Sequence, residues 1–275
     1  MHKHLINRVA FEEFLESLAP NDRIGLSIDL ETTNRRGAGF AVISIVPYCS
    51  DKNEVYREAA FMARVDIGSL VKYPDMFDPS TLRWWMTEPV QAARDELFAV
   101  YSRDTRGKCQ YNTSQIFAYE DVCKDVVLFM ETVKRKCGVI EVLGNGAIFD
   151  VGKLEASLVQ TGAVDGNAEN PFPYAFWDIR DLREVIKAAA LATGINVKHT
   201  VKLNGTAHKA LDDADVQARQ LVESENLLVE SRKAFIKLRE ATISQEDAVN
   251  LMNELAKLHG LDVMISSMKG VQNGD

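Results

Sequence analysis

The chain has 275 residues, 46% hydrophobic and 26% charged, with a formal net charge of −8. It is long enough to bury a sizeable core, and with only 7 Pro and 16 Gly it is neither collagen-like nor broadly disordered. No apolar run reaches the roughly 18 residues that a membrane helix needs, and Glu12, Glu13 and Glu16 stand where a signal peptide would be apolar, so a cytoplasmic protein without a membrane partner is expected.

The acidic balance disfavours charge-driven coating of nucleic acid or anionic lipid. It leaves open an enzyme that holds nucleic acid through bound cations, because a divalent ion inverts the local sign. Cys49, Cys109, Cys123 and Cys137 form no CxxC pair, which argues against zinc. They read as idle thiols, with Cys123 and Cys137 as small core residues of one helix.

Residues 8–18 carry Val9, Phe11, Phe14, Leu15 and Leu18 among acids, the pattern of a short amphipathic helix that Pro20-Asn21-Asp22 ends. Residues 24–30 and 41–47 are apolar runs suited to strands, joined by a tight loop containing Gly37 and Gly39, and a third strand is expected within 54–65. Asp78-Pro79 pairs a capping oxygen with a residue of preset φ, so a helix is expected over 79–86, followed by another at 89–101. The spacing of Ile116, Tyr119, Val122, Cys123, Val126, Val127, Met130 and Val133 predicts a long helix over 113–136, ended by Gly138 after three basic residues. Then come a strand at 139–144, a helix at about 151–161, a strand at about 174–178, a helix at about 180–193, a polar loop, and a helix at about 209–228. Strands that cluster first and then alternate with helices indicate an α/β sheet layered with helices. Beyond 222 the chain is charged and helical, with Ser244 to Asp247 resembling a capping box, and its last residues read as frayed.

Chemistry concentrates in three places. In Ser27-Ile28-Asp29-Leu30-Glu31-Thr32-Thr33, Asp29 and Glu31 lie two apart at the end of an apolar strand, so both carboxylates share one face. Adjacent carboxylates repel unless a cation lies between them, and hard oxygens suit Mg²⁺ or Mn²⁺. A lone DxE more often marks a strand emerging into solvent. In Asn145-Gly146-Ala147-Ile148-Phe149-Asp150 a third acid follows a second strand, either as a site residue at the sheet's carboxyl edge or as the cap of the next helix. In His208-Lys209-Ala210-Leu211-Asp212-Asp213-Ala214 a histidine ends a polar loop and acids open a helix. Ala210, Ala214 and Ala218 would let that helix approach the sheet, with Asp213, Gln217 and Gln220 on a neighbouring stripe.

The order DxE, N-x-x-x-F-D, H-x-A-x-x-D-A resembles the DEDDh 3′→5′ exonucleases, the family of proofreading exonucleases, oligoribonuclease and RNase T. Pro79 to Arg94, with Thr81-Leu82-Arg83-Trp84-Trp85 and Ala93-Arg94, looks more specifically like exonuclease A of T-even phages and the RNase T-like bacterial exoribonucleases. The resemblance spans about 24–222. It implies a ribonuclease H-like mixed sheet flanked by helices, with an antiparallel second strand. Residues 23–222 would then form the exonuclease domain, between an N-terminal helical extension over 1–22 and a C-terminal one over 223–275. It also implies metal-binding acids at Asp29, Glu31, Asp150 and Asp213, with Asp212 as the competing choice, and a general base at His208. Thr32 would meet the terminal nucleotide through its backbone.

The implied reaction is hydrolysis of terminal phosphodiesters with two Mg²⁺ or Mn²⁺ ions, releasing nucleoside 5′-monophosphates. Arg35, Arg36, Lys198, Lys202 and Lys209 are candidates to flank the backbone of a bound strand, and Phe149, Phe40, Trp84 and Trp85 to stack on bases. Packing of the two tryptophans on the core is the simpler reading. The phage-like segment tips the expected substrate toward single-stranded DNA, in a bacterial or phage-infected cell. The alternative is an exoribonuclease of the RNase T or oligoribonuclease type. A non-catalytic binding subunit would lack one of the five key residues, and all five are present. On the tail, Ala248, Leu251, Met252, Leu255 and Leu258 form one helical stripe. It suits packing back on the same chain, or else a homodimer or a replication-protein contact.

Overall fold

The computed structural model describes residues 2–87, 91, 94, 116–240 and 245–258. Six strands form one mixed sheet: β1 (Ile24–Thr32), β2 (Phe40–Cys49), β3 (Glu54–Val55), β4 (Phe61–Arg64), β5 (Ile140–Gly144) and β6 (Ile179–Asp181). Their order is β3-β2-β1-β5-β6, with β4 also paired to β2. β2 runs antiparallel to β1, whereas β5 is parallel to β1 and β6 parallel to β5. This is the ribonuclease H-like mixed sheet with the expected antiparallel second strand.

The nine described helices of four or more residues are α1 (Arg8–Ser17), α2 (Ile67–Leu70), α3 (Pro79–Trp85), α4 (Tyr119–Cys137), α5 (Ala147–Gln160), α6 (Leu182–Thr193), α7 (Val197–Thr200), α8 (Ala210–Glu240) and α9 (Gln245–Leu258). Among the described residues no helix is long and apolar enough to cross a membrane.

Alternation along β1 divides the interior. Ile24, Leu26, Ile28 and Leu30 enter the larger core with residues of α1, α4 and α5. The other face carries Gly25, Ser27, Asp29 and Glu31, and there α6 and α8 pack through Leu182, Ile186, Ala214, Ala218 and Leu221. Small residues on both partners bring α8 close: Ala214 and Ala218 are fully buried. The polar neighbours on that helix are thereby pressed toward the end of β1.

Several expected boundaries move. The third strand is two short ones, β3 and β4, separated by a single turn over Arg57–Ala59. α4 starts at Tyr119 because Phe117 is spent in a strand-like bridge with Val65, donating its N–H to the Arg64 carbonyl and accepting from Asp66 N–H. α5 starts at Ala147, four residues early. The strand expected at 174–178 is displaced to 179–181: Phe176 and Trp177 form a turn and are exposed, and only Ile179 onward pairs with β5. The helix expected at 209–228 and the start of the charged extension are one, α8, which runs unbroken to Glu240, and α9 follows and touches it. Of the expected helix at 89–101 only residues 91 and 94 are described, both helical, and Cys109 and the residues beyond 258 lie outside the described residues.

The N-terminal helix is integral to the core. Asn7 caps it, its side-chain oxygen accepting from Val9 and Ala10 N–H at 3.0 and 3.2 Å. Phe11 is fully buried and stacks on Phe129 of α4 with ring centroids 5.2 Å apart. Phe11→Ala should therefore lower unfolding free energy by about 3–5 kcal/mol. Urea denaturation measures this, and a loss below about 1 kcal/mol would mean that α1 is dispensable.

Candidate active site

The site lies where β1 outruns its parallel neighbour. β5 ends at Gly144, opposite Ile28, while β1 continues to Thr32 with only β2 beside it. Asp29 and Glu31 occupy that overhang, on the face covered by α8. Ligand oxygens of Asp29, Glu31 and Asp213 lie within 4.8 Å of one another, an arrangement that can hold a metal ion. Gln217, one turn after Asp213 on α8, donates from Nε2 to Asp29 Oδ1 at 2.8 Å and orients that carboxylate.

Asp150 arrives from α5. The sharp turn before the helix uses Gly146 at φ 109°, a conformation that side chains rarely adopt, and the guanidinium of Arg183 lies 3.0 Å from where a Cβ would sit. Asp150 is in the first turn of α5 rather than at its N-cap, so the capping alternative does not hold. The first N–H of the helix, on Ala147, instead donates to Asp181 Oδ2 at 2.9 Å. The other oxygen of Asp181 caps α6, accepting from Arg183 N–H at 2.9 Å.

His208 ends its loop at φ 64°, a left-handed conformation uncommon outside glycine. Its backbone N–H donates to Asp213 Oδ2 at 2.8 Å, and its ring meets Trp84 edge-to-face at 5.3 Å. The competing acid, Asp212, is spent elsewhere: it pairs with Arg57 and accepts from Thr206 N–H at 2.9 Å. Asp29, Glu31, Thr32, Arg35, Phe149, Asp150, His208 and Asp213 all line one cleft of about 450 Å³. Arg36 lines the adjoining hollow instead.

The tryptophans divide their work. Trp85 is buried and donates from Nε1 to the Thr32 carbonyl at 3.0 Å, fixing the end of β1. Trp84 is 43% exposed on the cleft. Phe40 is fully buried, packed against Tyr119, and so is unavailable to a base.

Two residues at this end of the sheet escaped the sequence reading. Arg183 lines the cleft from the first turn of α6. Lys153 is buried, and its ammonium donates to the carbonyls of Asn34 and Gly37, tying the loop that carries Arg35 and Arg36 to α5. Burial lowers its pKa. Its signal was legible: Asp150, Lys153 and Ser157 make a polar stripe on an otherwise apolar helix face.

The carboxylates are strained electrostatically. Burial, then the charges of Asp150 and Asp213, hold Asp29 well above the usual carboxylate range. Burial raises Asp213, against the opposing hydrogen bond from His208 N–H. Burial pushes Asp150 up to about 7. This donor set of hard oxygens, converging and reluctant to ionise together, fits divalent cations, which relieve the repulsion. Without cations, Asp150 binds its proton more tightly folded than unfolded. Its contribution to stability is therefore present below pH 3.8 and is lost as pH rises toward 7. In EDTA, Asp150→Asn should gain stability relative to wild type across that interval. Thermal melts of both proteins at stepped pH read this out, and a constant difference would contradict the raised pKa.

The model of the Rv2179c-like 3'-5' exoribonuclease domain matches residues 25–224. No individually curated protein sequence matches the chain. Among solved structures, similarity is found to the 3'-exonuclease that recognises the 3' end of a histone mRNA stem-loop, at 14% identity and TM-score 0.43, covering 76% of this chain and 83% of that one. Cell-death related nuclease 4 is 15% identical with TM-score 0.47, over 76% of this chain and 65% of that chain. The nuclease domain of 3'hExo, a DEDDh family member bound to rAMP, is 14% identical with TM-score 0.43, over 76% and 94% of the two chains. On the strength of the family match, which takes in β1 through the first turns of α8 and every residue of the acidic cleft, the chain belongs to the Rv2179c-like 3'-5' exoribonuclease domain family and is a 3′→5′ exonuclease.

Proposed function

We propose that this enzyme removes nucleotides one at a time from the 3′ end of single-stranded RNA, releasing nucleoside 5′-monophosphates, with Asp29, Glu31, Asp150 and Asp213 as metal ligands and His208 as general base. The observation that carries the reading is the convergence in one cleft of four acids and a histidine from three distant segments of the chain. Two divalent cations, Mg²⁺ or Mn²⁺, would offset the four carboxylates and stabilise the attacking and leaving oxygens of an in-line displacement.

The protein's own groups supply the rest. A neutral imidazole nitrogen of His208 accepts a proton from the attacking water as the water oxygen bonds to phosphorus. The bond from phosphorus to the 3′ oxygen of the next nucleotide breaks, and that oxygen leaves as the new chain end. The hydrogen bond from His208 N–H to Asp213 fixes the base beside the acid cluster, and Trp84 limits its tilt from the other side. Gln217 orients Asp29. Arg35 approaches from the loop after β1, where its charge can meet a phosphate. Phe149, 39% exposed beside Asp150, offers a face for the terminal base.

RNA is preferred over the DNA expected from sequence because the family description names an exoribonuclease. DNA is the second reading, favoured by the phage-like segment that includes Trp84 and Trp85.

Matched 5′-labelled single-stranded RNA and DNA, incubated with Mg²⁺, Mn²⁺ or EDTA, test the proposal. A ladder shortening from the 3′ end is expected with metal and not with EDTA, faster on RNA. Asp29→Ala and His208→Ala should each reduce the rate by about 10²-fold or more. Undiminished cleavage by both variants would remove the roles assigned to these residues, and a faster ladder on DNA would reverse the choice of substrate.

A further inference from the structure

Beside the acidic cleft lies a second hollow of about 660 Å³. The two are continuous, sharing Arg35, Phe149 and Arg183 in their walls. The hollow adds Arg36 from the loop after β1 and Ile148 from the first turn of α5.

The lining is unlike the protein at large. The chain carries a net charge of −8, yet three arginines border this hollow. Its one acidic wall residue among those described, Asp181, is spent on the N–H groups of Ala147 and Arg183. Ile148 is 94% exposed, beside the half-exposed ring of Phe149. The Lys153 ammonium sits 4.8 Å from the centre of that ring and holds its inner face. Exposed apolar surface between guanidinium groups suits a polymer that alternates flat bases with phosphates. Arg183 stands at the junction: it borders the cleft, the hollow, and a further depression along α6 that contains Lys187 and Lys198.

We propose that a single-stranded polynucleotide leaves the acidic cleft over Arg183 and runs its second and third nucleotides through the second hollow, a base against Ile148 and the backbone between Arg36 and Arg183. The inference rests on the exonuclease reading above and deepens it: the protein favours substrates longer than a dinucleotide, because a dinucleotide leaves the far side of the hollow empty. Charge complementarity and direct continuity with the cleft select this occupant.

The experiment measures kcat/KM on single-stranded RNA from dinucleotide to pentanucleotide, and on a nitrophenyl ester of a nucleoside 5′-monophosphate, which has no second nucleotide. For the wild type, kcat/KM should rise about tenfold or more from dinucleotide to pentanucleotide, mostly through KM. Ile148→Glu places a negative charge in the hollow at a surface position that folding does not need, and should flatten that rise to about twofold or less. Arg183→Ala should flatten it too and weaken the salt dependence on the longer substrates. Cleavage of the ester and all oligonucleotides by the wild type with no length dependence would overturn this inference and leave the exonuclease reading standing. So would a length dependence that Ile148→Glu leaves intact. A wild type that cleaves neither ester nor oligonucleotide would overturn both.

Discussion

Everything at the catalytic end follows from one mismatch of strand lengths. β1 is bonded along both edges from Ile24 to Ile28, and its parallel neighbour stops at Gly144 while β1 runs on to Thr32 with β2 alone beside it. The overhang leaves one edge of the strand open to a crevice at the carboxyl end of the sheet, where α/β proteins place their ligands. Within it the pleat alternates, so Leu30 turns into the core while Asp29 and Glu31 face α8. A shift of one residue in the pairing of β1 with β2 would bury the acids among Phe11, Phe129 and Leu154 and expose the aliphatic residues instead. The cost of burying ionisable groups in that core makes the register strongly determined.

The same acids that define the site oppose folding. Carboxylates on β1, α5 and α8 are gathered in partly dry surroundings that hold Asp29, Asp150 and Asp213 above their ordinary pKa values. The scaffold offsets this with local neutral or cationic partners. Gln217 reaches Asp29, His208 N–H reaches Asp213, and the charge of Arg183 acts on Asp150. The small residues of the α8 interface have the same consequence from the packing side: by letting the helix settle close to β1, they force the carboxylates together. Affinity for cations and instability without them are thus two aspects of one arrangement.

The acidic constellation was legible in sequence because each member sits at a place where local rules are strong. Asp29 and Glu31 end an apolar run, Asp150 follows a strand and opens a helix, and Asp213 follows a loop whose last residue is His208. Between Asp212 and Asp213 the family spacing favours Asp213, and in the structure Asp212 turns back to Arg57 and the 205–206 turn. Other features depend on contacts between residues far apart in the chain, which no local pattern reports. Phe117 reads as part of a helix until its bridge to Val65 is seen. Phe176 and Trp177 read as part of a strand, and they stand exposed in the turn before β6. Arg183 looks like any charge on a helix exterior, and only the approach of Gly146 beneath its guanidinium reveals that it overlooks the cleft. Phe40 erred in the opposite direction, an aromatic near the site that faces Tyr119 rather than solvent.

Asp181 has a wider effect than its place at the end of the shortest stretch of parallel pairing suggests. One of its oxygens begins α5 and the other begins α6, so the helix bearing Asp150 and the helix bearing Arg183 are referenced to a single carboxylate. The spacing between Asp150 and Arg183 is therefore referenced to one rigid, planar group rather than to the packing of two independent helices.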